Sequence, residues 1–131
     1  MAENRKFVDA ALRVPCTPDT FVRTWFDLLK VRHNLTEREM DVAAKFVIYY
    51  DKLLQRVQDE DILNRHLFSK EMKNRIREEC GLAPPRFRTI LQHLRENGII
   101  SNDKLNPQYI PKYTPGVPFR LLFLIDDHGI S

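Results

Sequence analysis

Apolar side chains recur at helical spacing through the middle of this chain, and the recurrence gives way to other patterns near both ends. Residues 1–16 alternate loosely, with Phe7, Val8, Leu12 and Val14 apolar before Pro15, the pattern of an arm or short edge strand. Thr17-Pro18-Asp19 predicts a helix over residues 17–32, because the hydroxyl can cap and proline suits the first helical position. Phe21, Trp25, Leu28 and Leu29 then share a face that Val22 and Phe26 widen. So wide a stripe demands a large cover, either the rest of the domain or a neighbouring subunit. The most informative local signal is Leu35-Thr36-Glu37-Arg38-Glu39-Met40, where Thr36 and Glu39 form a capping box and Leu35 and Met40 a hydrophobic staple. Val42, Ala43, Phe46, Val47, Tyr50, Leu53, Leu54 and Val57 continue that helix to about Gln58.

The acidic stretch Asp59-Glu60-Asp61, with Asn64 after it, reads as a loop. Ser69 caps a helix over residues 70–80 that Gly81 stops. Ala83-Pro84-Pro85 introduces the next helix, with Phe87, Ile90, Leu91 and Leu94 inward and its end at Asn97-Gly98. Beyond it the period changes: Ile99-Ile100 and residues 119–125 read as strands around a turn-rich flap containing Asn102-Asp103, Asn106-Pro107, Pro111, Pro115-Gly116 and Pro118. The expected fold is mainly α with a small β-hairpin. Residues 1–16 form an arm and residues 17–131 a single domain.

Length and composition fit that reading: 131 residues support one core, and 43% hydrophobic with 30% charged residues is ordinary for a globular protein. The longest apolar run, residues 119–125, is far short of a bilayer span, and residues 1–13 lack the uninterrupted hydrophobic stretch of a secretory signal, so a soluble cytosolic protein is expected. Cys16 and Cys80 belong to no paired-spacing motif and read as reduced core residues. The net charge of +3 is small, so its distribution matters more than its size. Between residues 65 and 95 eight basic side chains (Arg65, Lys70, Lys73, Arg75, Arg77, Arg86, Arg88, Arg95) stand against Glu71, Glu78 and Glu79, leaving +5.

A long capped helix, a short helix, a Gly-containing turn, a second helix ending in Asn-Gly and two strands around a loop resemble, in that order, the winged helix-turn-helix superfamily over residues 36–125. Met72, Ile76 and Cys80 would line the inner side of the first motif helix, Gly81-Leu82 the turn, and Phe87, Ile90, Leu91 and Leu94 the inner side of the recognition helix. Residues 94–100 are similar to the handover from such a helix to the first wing strand. The resemblance implies a winged helix preceded by an N-terminal arm and an extra helix. It departs from the pattern in the double proline that opens the recognition helix and in the long, proline-rich wing. A fainter resemblance, in general texture, is to small uncharacterised proteins of tailed bacteriophages.

On this reading Arg88, Thr89, Gln92 and Arg95 point outward, with Arg86 and His93 on the flanks. Gln92 suits adenine, Arg86 or Arg88 guanine or phosphate, and Thr89 backbone or a thymine methyl. Lys70 and Lys73 add charge to the motif, and Lys104, Lys112 and Arg120 in the wing suit flanking phosphates, beside Tyr109 and Tyr113 as packing or stacking residues. The expectation is a non-enzymatic protein that binds double-stranded DNA as a regulator of transcription or replication. No cofactor is expected. His33, His66, His93 and His128 fall in separate segments without zinc spacing and read as surface or partly packed; Asp126-Asp127-His128 reads as a polar terminus; no nucleophile elbow or phosphate loop occurs. The alternative is a structural assembly subunit, such as a phage virion connector or packaging component, self-associating through Phe21, Trp25 and Phe26 and residing in the virion.

Overall fold

Residues 13–122 and Ile125 are described by a computed structural model; the arm expected over residues 1–16 lies mostly outside them, and residues 13–16 form no strand. Thr17 caps helix α1 (Pro18–Leu28) in a capping box with Thr20, and Pro18 occupies the first turn. The expected single helix breaks at Leu29, and a short α2 (Lys30–His33) ends on Asn34 in the left-handed region at φ 54°. The cause is His33. Its Nε2–H donates to the Phe26 carbonyl at 2.6 Å and its Nδ1 accepts the Leu35 N–H at 3.0 Å, folding the chain back on itself. At 1% exposure, between Phe26 and Tyr109, His33 is a core residue and not the surface or partly packed histidine the sequence suggests.

Helix α3 (Glu37–Leu54) carries the predicted capping box, the Thr36 N–H donating to Glu39 Oε1 at 2.9 Å and the Glu39 N–H to Thr36 Oγ1 at 3.3 Å. It stops short of Gln58, with the Arg56 N–H tightening onto the Leu53 carbonyl three residues back. The following acidic stretch is a helix, not a loop. Asp59 Oδ1 accepts the Asp61 and Ile62 N–H groups, opening α4 (Glu60–Leu67), and Leu63 and Leu67, one turn apart, are fully buried. Ser69 caps α5 (Lys70–Glu79), and α6 runs over Pro84–Glu96. α3 is the central element, packed by α1, α4, α5 and α6. Met40, Val42, Ala43, Phe46 and Val47 are accordingly shut off from water, each larger side chain contributing roughly 1.5–3 kcal/mol.

After α6, β1 (Ile100–Ser101) pairs antiparallel with β2 (Lys104–Leu105), Ile100 opposite Leu105. The connecting Asn102 and Asp103 both have φ near 50°, the conformation of a two-residue type I′ hairpin turn. The return strand is therefore residues 104–105 and not 119–125: Phe119, Arg120, Leu121, Leu122 and Ile125 belong to no strand. A 3-10 turn (Pro107–Tyr109) follows, and the chain runs back over α1. The Trp25 indole N–H donates to the Tyr109 carbonyl at 3.1 Å, Tyr113 and Phe119 each lie 4.9 Å from Phe21 between ring centroids, and Phe119 meets Trp25 edge-on. The wide aromatic face of α1 thus finds its cover within the same chain. No helix among the described residues is long and apolar enough to cross a membrane.

Candidate nucleic-acid interface

Two identical chain stops frame α6. At the end of α5 the Gly81 N–H bonds the Glu78 carbonyl and the Leu82 N–H the Arg77 carbonyl, with Gly81 at φ 65°; at the end of α6 Gly98 and Ile99 repeat the pattern on Arg95 and Leu94. Each is a Schellman motif with its apolar residue, Leu82 or Ile99, buried. Arg77 Nη1 reinforces the first by donating to the Leu82 carbonyl at 2.9 Å. The angle between α5 and α6 is therefore set by backbone bonds, and the roll of α6 by burial of Phe87, Ile90, Leu91 and Leu94.

That roll leaves Arg86, Arg88, Thr89, Gln92 and Arg95 exposed, as the periodicity predicts. None of the three arginines joins an ion pair among the described residues. Thr89 and Gln92 are partly committed: the Thr89 hydroxyl donates to the Pro85 carbonyl and the Gln92 amide nitrogen to Glu96 Oε1 at 3.3 Å, which leaves the Gln92 side-chain oxygen without a partner among the described residues. The double proline has a specific effect. Pro84 and Pro85 carry no N–H, so within the first three helical residues Arg86 alone keeps a backbone donor, and Ala83 adds no side-chain cap. Cationic side chains, and not the helix N-terminus, are what α6 offers an anion.

His93 is placed differently from the arginines. Its Nδ1 bonds Glu39 Oε2, while Glu39 Oε1 holds the Thr36 N–H, so the capping glutamate of α3 also grips α6. Burial alone would raise the Glu39 pKa, but the Thr36 N–H and His93 outweigh it and hold the carboxyl below its ordinary range. A depressed acid contributes stability above its unfolded pKa and loses it as pH falls through the folded value. The sequence marks Glu39 as a cap but gives no sign of its second partner, 54 positions away.

Lys70 and Lys73 lie on α5, exposed and half-buried. The lysines of the hairpin and flap are set apart. Lys104 Nζ pairs with Asp61 of α4 at 3.2 Å, beside Asp103 at the hairpin tip, so its charge is already met. Between α4 and the hairpin lies a shallow groove of about 320 Å³ lined by Asp61, Asn64, Arg65 and Lys104; the side-chain Oδ1 of Asn64 is buried without a hydrogen-bond partner among the described residues. Lys112 is exposed between Tyr109 and Tyr113, which fasten the flap to Trp25 and, through a 3.2 Å bond from the Tyr113 hydroxyl, to Asp51. Burial and the Asp51 charge push the Tyr113 pKa up to about 12, and burial raises that of Asp51 against the opposing Tyr113 bond. Of the residues expected at a protein interface, Phe26 is fully buried and Phe21 and Trp25 are half-buried under the flap. Cys16 is exposed, not a core residue, and Cys80 is half-buried. Asp126, Asp127 and His128 lie outside the described residues. Comparison with protein-family models, curated proteins and solved structures finds no match to this chain.

Proposed function

We propose that this chain is a non-enzymatic winged-helix protein that binds double-stranded DNA, with α6 entering the major groove and α3, α5 and the short hairpin as its scaffold. The observation that carries the reading is the outer surface of α6: Arg86, Arg88 and Arg95 stand exposed beside Gln92 and without ion pairs among the described residues. Neutralising phosphates by such side chains releases counterions, the main source of affinity for DNA. Base edges are then read by Gln92 and Arg88. Because Lys104 is paired with Asp61, backbone contacts fall to Lys70 and Lys73 more than to the wing. The test is fluorescence anisotropy on mixed-sequence duplex across a salt series. Binding should weaken steeply with salt, Lys73→Ala should flatten that dependence by about one unit of slope, and Arg88→Ala or Gln92→Ala should relax sequence preference. Unchanged affinity in all three variants overturns the assignment.

A second reading, an assembly subunit, draws support from Val117, Leu122 and Ile125, which are 61%, 83% and 88% exposed. It predicts a mass that grows with concentration and falls back on Leu122→Lys. A monomer at every concentration excludes it.

A further inference from the structure

We infer that His93 is a proton-gated phosphate contact: Glu39 holds the Nδ1 edge of the ring, and on protonation the Nε2–H at its other edge donates to an anionic oxygen of the DNA backbone. The inference rests on the DNA-binding reading of α6. The His93 side chain is 46% exposed, and its Nδ1 bond to the buried Glu39 carboxylate leaves Nε2 without a partner among the described residues. A neutral ring that donates through Nδ1 offers only a lone pair at Nε2, which an anion does not want. The imidazolium offers an N–H there. One proton taken from solvent thus converts an acceptor edge into a cationic donor edge on the flank of α6 that also carries Arg86, two helical turns away.

α3, which packs on α6, presents Glu39; the other charged groups at the start of α3 are turned elsewhere, Glu37 and Asp41 toward Arg23 and Arg38 toward the Cys80 carbonyl and Asp41. β1, also packed on α6, brings only Ile100 and Ser101. On α6 itself Arg86 is two turns away, Arg95 is exposed to solvent, and Glu96 is held by Gln92. His93 lies in the last turn of α6. Glu39 is the positioning residue. It fixes which ring edge faces out.

The experiment measures affinity for a mixed duplex against salt at about pH 5.5 and about pH 8, on either side of the range in which histidine changes charge. The expected result is a salt slope steeper by about 1 per chain at the lower pH, with tighter binding, because one more phosphate is neutralised. His93→Gln should keep its fold, checked by thermal melting, and give the same slope at both pH values. Equal slopes for the parent protein, or a pH difference that persists in His93→Gln, overturn the inference while leaving the DNA reading standing. No binding at either pH in low salt overturns both.

Discussion

Arg23, between α1 and α3, contacts three carboxylates at once, whereas Arg86, Arg88 and Arg95 on α6 contact none among the described residues. Arg23 reaches Asp41 through Nε at 2.8 Å, Asp27 through Nη1 at 2.9 Å and Glu37 through Nη2 at 2.5 Å. Partial burial works against its charge, but the three carboxylates outweigh that and its pKa rises. This guanidinium is used up in fastening one helix to another. The arginines of α6 fasten nothing, since the helix is seated by Phe87, Ile90, Leu91 and Leu94 and stopped by backbone bonds. The same residue type therefore has opposite meanings in the two regions, and its meaning follows from whether the fold supplies the counter-charge. An excess of arginine in a segment is weak grounds for a polyanion partner; arginines that the fold leaves unmatched on one face of a rigid helix are stronger grounds.

The contrast can be broken by substitution. The largest effect on stability belongs to the buried face of α1: Phe26→Ala should cost about 3–5 kcal/mol in urea unfolding, since the ring is fully buried between His33 and Tyr109. Arg23→Ala should cost roughly 1–2 kcal/mol, because it leaves three carboxylates facing one another in a setting between exposed and buried. DNA affinity should not change at a temperature where that variant is folded. Arg88→Ala with Arg95→Ala should show the reverse, stability within about 0.5 kcal/mol of the parent, a salt slope reduced by about 1 through Arg95 and a relaxed sequence preference through Arg88. If the double α6 variant unfolds instead, those arginines are structural and the contrast is lost. The smallest effect is expected at Asp51, whose burial raises its pKa. A raised carboxylate pKa means that the folded state holds the proton more tightly, so stability declines as pH rises from the ordinary aspartate range through the folded value. Asp51→Asn, which keeps an acceptor for the Tyr113 hydroxyl, should stabilise the protein slightly at neutral pH and lose that advantage in acid, as thermal melts at two pH values would show.

What the sequence disclosed depended on the reach of each interaction. The caps at Thr17, Thr36 and Ser69 and the stops at Gly81 and Gly98 are made within a few residues, and all five stand where the local pattern puts them. The acid-rich residues 59–61 resemble a loop in composition, yet Asp59 is a cap and Leu63 and Leu67 give the helix behind it a buried face. Ile99-Ile100 marks the first strand, which begins at Ile100, but the return strand has only two residues, too few for any alternation to register, and the apolar run at 119–125 stands in its place in the sequence pattern. Phe119 is taken up by Phe21 and Trp25, nearly a hundred positions earlier. The candidate site divides in the same way. The outward face of α6 follows from its own periodicity, whereas the pairing of Lys104 with Asp61 and of His93 with Glu39 depends on residues far away in sequence.

Trp25 is the only tryptophan in the chain, and its indole is bonded to the Tyr109 carbonyl and covered by the Phe119 ring. Its fluorescence therefore reports on one event, the seating of residues 109–119 against α1. A red shift in emission that precedes any loss of far-ultraviolet helical ellipticity would register that segment lifting away while the helices remain. Coincident changes would mean that the covering segment and the helical core come apart as one cooperative unit.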